Sequence, residues 1–281
     1  MPRVHTYTAA EAGLLVNSYL IEGESEVLVI DTGLLVSDIE ALHARLAALR
    51  KPLSGIVVTH AHPDHFNGVF RLIQDREVPV YAAPSVAQVI TEIADAKRAQ
   101  WSPTYGDEWP SRTYYPNTVV PDGGSIPFED VQITMHEIGP GESHADSFVR
   151  AVPADGKPVA FIGDLAFHGT HPYTADGHTT QWLAALDTLG TALSDATILY
   201  PGHGALADLR ILADQRRYLL YYREVVHRLA EGRAALTESE VTELERHMRE
   251  FLPDAPLTWM IGLGAGAVAE ELAGRLSATA G

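Results

Sequence analysis

The run Thr59-His60-Ala61-His62-Pro63-Asp64-His65 constrains this chain more than any other feature. It sets three imidazoles and a carboxylate within six residues, directly after the apolar stretch Gly55-Ile56-Val57-Val58. That stretch is short and β-branched, so it reads as a buried strand. The histidines then stand where a strand leaves its sheet, a usual place for sites in layered α/β proteins. Neutral imidazole is a common metal ligand, and a neighbouring carboxylate favours a divalent cation. Pro63 biases Ala61-His62 toward extended backbone. Alternation would send His60, His62 and Asp64 to one side, leaving His65 to rejoin them through a turn.

Three further stretches carry ligand-type residues at strand ends. They are His144 in Gly141-Glu142-Ser143-His144-Ala145-Asp146, Asp164 after Val159-Ala160-Phe161-Ile162-Gly163, and His203 in Tyr200-Pro201-Gly202-His203-Gly204. With the first run they resemble the HxHxDH signature and later ligands of the metallo-β-lactamase superfamily, over roughly residues 14 to 204. The resemblance implies two divalent cations. His60, His62 and His144 would hold the first, and Asp64, His65 and His203 the second, with Asp164 bridging. Zinc is the expected metal, with iron or manganese as alternatives because the same donors accept them. Asp31, in Ile30-Asp31-Thr32-Gly33, is expected as a strand-end turn carboxylate, with orientation of the ligand loops as the other role. His5, His43, His227 and His247 lack partners in the pattern.

The implied fold is an α/β four-layer αββα sandwich over residues 1–204, with a helical extension over 205–281 packed on it. Strands are expected at Leu15–Ile21, Val27–Asp31, Ile56–Thr59, Val80–Ala83, Val131–Glu137, Ser147–Val152, Val159–Gly163 and Thr197–Tyr200. Helices are expected at Val36–Leu49, Ser85–Ala99, Thr180–Leu189 and Leu206–Ala234, and strands alternating with helices mean layered architecture. Thr237-Glu238-Ser239-Glu240 fits a capping box opening another helix, which Pro253 stops. The glycine-rich stretch Trp259–Gly266 is expected to pack on the sandwich, with pocket lining or a dimer contact as the other roles.

The formal net charge is −17, which disfavours phosphate backbones and so nucleic acid as a partner. No apolar run reaches membrane-span length and the first residues lack a signal-peptide pattern, so a cytoplasmic enzyme without a membrane partner is expected. The chain has no cysteine, which excludes a cysteine metal ligand and a cysteine nucleophile.

The resemblance implies a hydrolase in which a metal-bridging hydroxide attacks a carbonyl of a small-molecule ester, lactone, thioester or amide. Asp64 would also carry a proton to the leaving group. His62 separates the chain from the flavodiiron branch, which has glutamate there, and Asp164 from true zinc β-lactamases. Phe167 stands where lactonases of the family have a tyrosine, and the basic glutathione-binding positions of glyoxalase II have no match. Alternatives are an iron-dependent persulfide dioxygenase, a phosphodiester hydrolase, or a metal-binding protein without catalysis. Substrate contacts are expected from Trp101, in the aromatic stretch 100–116 whose prolines oppose regular structure, and from Phe167, His168, His171 and Tyr173. A homodimer through that stretch or the glycine-rich tail is a further expectation.

Overall fold

The computed structural model describes residues 2–74, 76–154, 156–194 and 197–279; Met1 and the last two residues of the expected extension lie outside the described residues. The first sheet runs in order β1 (Arg3–Thr8), β2 (Asn17–Glu22), β3 (Val27–Ile30), β4 (Leu53–Val57), β5 (Val80–Ala82) and β6 (Thr118–Val119). Its first three strands pair antiparallel and the rest parallel. The second sheet contains β7 (Ser125–Ile126), β8 (Val131–Gly139), β9 (Asp146–Pro153), β10 (Val159–Gly163) and β11 (Ile198–Pro201), in order β11-β10-β9-β8-β7. Only β10 and β11 pair parallel there. Strand β3 reads Val-Leu-Val-Ile and is buried throughout, as a strand covered on both faces must be.

The sheets stack face to face. Between them Tyr19 of β2, Phe161 of β10 and Tyr200 of β11 form a ring cluster with centroids 4.9 to 5.3 Å apart. Helices cover the outer faces. In α1 (Val36–Ala48), Ile39, Leu42 and Leu46 recur at three- and four-residue spacing, so one stripe is buried against the first sheet. Two short helices, α2 (Pro63–Phe66) and α3 (Val69–Ile73), follow the histidine run, and α4 (Pro84–Tyr105) packs through Val86, Ile90 and Ala94. Across the molecule, α5 (Thr179–Ala192) sets Trp182, Ala185, Leu186 and Leu189 on the second sheet. The result is the αββα sandwich.

Helix α6 (Arg210–Ala230) links the sandwich to the extension. Ile211, Leu212 and Leu219 pack on the second sheet's outer layer. Tyr218, Tyr222, Val225 and Val226 instead enter a separate core with Leu244 and Met248 of α7 (Glu238–Phe251), Ile261 of α8 (Trp259–Leu263) and Val268 of α9 (Ala265–Thr279). Thr237 and Glu240 form the expected reciprocal capping box. A second tie is Glu271 of α9. Its carboxylate accepts the Thr179 and Thr180 backbone N–H groups at 3.1 and 3.0 Å and pairs with Arg223 at 3.0 Å. It thereby supplies the cap that α5 lacks from its own N-cap residue, His178.

Several elements differ from expectation. Helix α4 continues through Trp101 and Pro103 to Tyr105. Pro103 lies in the last turn, where it removes a single backbone hydrogen bond, and the helix closes with Gly106 N–H on Ser102 C=O. Helix α6 begins at Arg210 rather than Leu206, because Ala207 pairs with Leu199 in both directions at 2.8 and 3.0 Å. The glycine-rich tail is helical. Gly264 lies so close to Thr174 that any side chain there would collide with it. Strand β1 went unmarked because its alternation is almost wholly polar. Among the described residues no helix is long and apolar enough to cross a membrane.

Candidate metal centre

The two sheets meet at one edge, and the ligand-type residues gather there. His60 pairs with Asp146 and Val16 with His203 as isolated bridges between the sheets. Ser147 N–H donates to Thr59 C=O at 3.0 Å and Asn17 N–H to Gly202 C=O at 2.7 Å. His60 thus follows β4 in extended backbone. Pro63 then opens α2 at its first position, and this helical turn brings Asp64 and His65 back toward His60. Gly163, at φ 50°, turns β10 so that Asp164 points inward. At Gly202 a Cβ would overlap the Asp164 carboxylate, so only glycine lets β11 deliver His203 to the same point.

Each inward-facing histidine is oriented through its other nitrogen. His65 Nδ1 lies 2.8 Å from Asp31 Oδ2, His203 Nδ1 is 2.9 Å from Leu14 C=O, and His62 Nε2 is 3.0 Å from Asp176 Oδ2. His60 Nδ1 meets the Thr59 hydroxyl at 3.1 Å. Asp31 also accepts from Thr59 N–H and Thr59 Oγ1, at 2.9 and 2.8 Å. It therefore closes the strand-end turn and aims His65 at once, so its two expected roles are one arrangement. Such partners fix the tautomer and direction of a ligand imidazole. Sequence reasoning missed Asp176, which lies in an irregular loop far from any signature.

Among the described residues three groups of ligand atoms result, each within 4.8 Å of one another: His60/His62/Glu142, His60/His65/Asp164 and Asp64/His65/His203. His65 Nε2 is 3.5 Å from Asp64 Oδ2 and 3.4 Å from Asp164 Oδ1, and His203 Nε2 is 3.3 and 3.2 Å from Oδ2 of the same carboxylates. Ligands about 2.1 Å from a tetrahedral cation stand about 3.4 Å apart, so these spacings fit a shared ion. Burial of unsatisfied atoms points the same way. His60 Nε2, His65 Nε2, Asp164 Oδ1 and both Glu142 oxygens are buried without a hydrogen-bond partner. Such orphans are costly unless a cation completes them. The donor set therefore fits divalent metals.

Without cations, the site balances charge internally. Burial opposes a charged His203, but Asp164 and Asp64 outweigh it and push its pKa up to about 10. Burial likewise opposes a charged His65, and Asp164, Asp64 and Asp31 together hold it well above the ordinary value. His60 goes the other way, lowered by burial and by the neighbouring His65. Burial raises the Glu142 carboxyl, against the pull of His62.

Six of the seven expected ligands, His60, His62, Asp64, His65, Asp164 and His203, converge. His144 does not. Its side chain is 44% exposed, with Nδ1 2.6 Å from His178 Nε2. Glu142, two residues earlier, is 2% exposed and faces His60 and His62. The turn decides between them: Ser143 N–H donates to Asp146 Oδ2 at 2.9 Å and Ser143 Oγ to Ala145 C=O at 2.9 Å, which turns Glu142 inward and His144 outward.

A cleft opens on this cluster. Asp64, Glu142, Asp164 and His203 lie at its floor, and its walls include Leu14, Leu34, Trp101, Tyr105, Trp109, Phe167, Tyr173, Trp259, Met260 and Leu263. Trp101, Phe167 and Tyr173, three of the expected substrate contacts, line this cleft, with Phe167 stacked on His203 at 5.1 Å and Tyr173 edge-on to His62 at 5.2 Å. Two expected contacts turn away. His168 bonds Ala205 C=O at 2.8 Å on the surface, and His171 is buried against the Tyr218 hydroxyl at 2.9 Å. Trp101 and Tyr105, four residues apart on α4, share one helix face, a spacing that could have marked them. Trp259, Met260 and Leu263 show that α8, in the glycine-rich tail, lines the cleft.

The family pattern of the metallo-beta-lactamase superfamily matches residues 12–203. The chain is similar to the hydroxyacylglutathione hydrolase of Albidiferax ferrireducens, 28% identical over 66% of this chain and 60% of that protein. It is also similar to the lactamase-like protein notP of an Aspergillus species, 27% identical over 92% of this chain and 70% of that one. A human acyl-coenzyme A thioesterase, MBLAC2, is 26% identical over 57% of this chain and 61% of its own. The matches thus span about three-fifths of the hydroxyacylglutathione hydrolases, 60% and 63% in two of them. A metallo-beta-lactamase from Pontibacter korlensis superposes with a TM-score of 0.59 at 22% identity, covering 77% of this chain and 94% of that one, a likeness of fold. The matched residues include the whole converging cluster, and this chain belongs to the metallo-β-lactamase superfamily.

Proposed function

We propose that this protein hydrolyses a small-molecule thioester or ester whose acyl part is bulky and apolar, using two divalent cations, zinc foremost. The observation that carries this reading is the cleft itself: an aromatic and aliphatic wall opening directly onto the ligand cluster. Bound at the cluster, the cations would lower the pKa of a water molecule and polarise a carbonyl oxygen. The protein's own groups do the rest. Trp101, Tyr105, Trp109 and Trp259 exclude water around the acyl group and hold its carbonyl over the floor. Asp64 turns Oδ2 to His65 and His203 and lines the cleft, where its carboxylate takes the proton of the attacking water. The water oxygen joins the acyl carbon, the C–S or C–O bond breaks, and that proton passes to the leaving sulfur or oxygen. Burial, then Asp176, raises the pKa of Tyr173, so its hydroxyl stays protonated and donates to Asp176 Oδ1 at 3.3 Å, which holds the ring edge-on to His62 at the cleft wall.

Thioesters come first because relatives carry thioesterase and hydroxyacylglutathione hydrolase names. Phosphodiesters are disfavoured by the lining, in which Lys97 is the sole Lys or Arg and stands 3.5 Å from Asp176. The test is acid release by cation-loaded protein against thioesters, esters, lactones and β-lactams. Thioesters with aromatic or branched acyl groups should exceed their acetyl counterparts by about tenfold in kcat/KM, the worth of roughly 1.4 kcal/mol of apolar contact. A chelator should abolish the release. Preference for β-lactams, or no release from any class, would overturn the proposal.

A further inference from the structure

The first cation position departs from the three-histidine set that the sequence implies, and we infer that Glu142 fills its third place, giving a His60/His62/Glu142 site with His144 outside the centre. Four observations carry this. Glu142 is 2% exposed, and both its oxygens lack a hydrogen-bond partner. Oε2 lies 2.8 Å from His62 Nδ1 and 3.6 Å from His60 Nε2, which is itself unpartnered. The short approach to His62 lacks hydrogen-bond alignment, as expected of two donors aimed at a common third atom rather than at each other. Asp176 already holds the far nitrogen of His62, so Nδ1 is the one turned inward. A buried carboxylate held only by a misaligned imidazole contact is costly, and a divalent cation completes all three groups together.

The assignment has chemical content. Two histidines, a glutamate and an open position form a donor set used by catalytic zinc. Exchanging a neutral imidazole for a carboxylate also surrounds the cation pair with three carboxylates, Asp64, Glu142 and Asp164, in place of two. Oxygen donors suit manganese better than a histidine-only set does. The site should therefore accept manganese more readily than a three-histidine first position would.

The test reads metal content after equilibrium dialysis, independent of turnover and of the substrate proposed above. Wild-type protein and H144A should each retain a full pair of ions. E142Q should lose one of them, and E142H should regain it while binding manganese at least about tenfold more weakly relative to zinc. His144 is surface-exposed, so H144A keeps its fold and decides the matter even where a Glu142 variant misfolds. Loss of an ion in H144A, or an intact pair in E142Q, would overturn the assignment.

Discussion

The floor and the walls of the cleft are assembled by different means. The floor draws its donors from the ends of neighbouring strands and the turns that follow them, and its histidines are each oriented by a hydrogen bond at the other ring nitrogen. The walls draw apolar side chains from four distant places: Leu14 and Leu34 before and after the β2–β3 hairpin, Trp101 to Trp109 around the end of α4, Phe167 and Tyr173 after β10, and α8 in the extension. A floor built on sheet edges holds its geometry as long as the sandwich stands. A wall built from loops and an added helix can change its shape without disturbing the donors. Chemistry and specificity are thereby carried by separable parts of the chain.

Removing a floor carboxylate should have the largest effect. Asp164 faces both His65 and His203, so Asp164→Ala should release a cation and lower turnover by about 1,000-fold, the scale of several kcal/mol of charge stabilisation. Metal analysis beside kcat would check it, and an unaltered kcat would remove Asp164 from the centre. Wall changes should be smaller and of another kind. Trp259→Ala should raise KM for a bulky acyl substrate by about tenfold and leave kcat and metal content nearly unchanged. A fall in kcat with constant KM would mean that α8 shapes the floor after all.

The joint between sandwich and extension gives the next effect. Glu271→Ala uncaps α5 and breaks the Arg223 pair, and should lower stability by about 1 to 2 kcal/mol in denaturant titration. Parallel loss of substrate affinity would show that the joint also holds the wall in place. The smallest effect is one of acidity. Burial first, and Arg249 second, lower the pKa of His171 to about 4, against about 6.5 in an unfolded chain. Since the folded value is the lower one, its contribution to stability is complete above pH 6.5 and is lost as pH falls toward 4. Denaturation midpoints at pH 7.5, 5.5 and 4.5 should therefore drop less steeply in His171→Phe than in the wild type. Identical slopes would mean that His171 meets the same surroundings in both states.

Legibility followed the same division. The first histidine run could be read directly, because ligands at the end of an apolar strand leave a local pattern, whereas Asp164 and His203 stood out through the family resemblance. Helices α1, α5 and α7 were similarly plain from apolar spacing and, in α7, from the Thr237 capping box. The aromatic stretch was harder. Its prolines suggested irregular chain, yet Pro103 falls in the terminal turn of α4, where a proline is cheap. The tail's glycines masked two helices whose close packing requires them.

By itself the sequence determined a layered α/β architecture and the strand-end runs of ligand-type residues, since strand periodicity and ligand spacing are properties of short segments, while the αββα arrangement and the grouping of the donors were implied by the family those runs resemble. Tertiary structure alone decided between Glu142 and His144, two residues apart in one turn. It also recruited Asp176 behind His62 and brought α8 over the cleft. Those choices rest on which side chain a hydrogen-bonded turn aims inward and on contacts between segments more than a hundred residues apart. No local pattern records either.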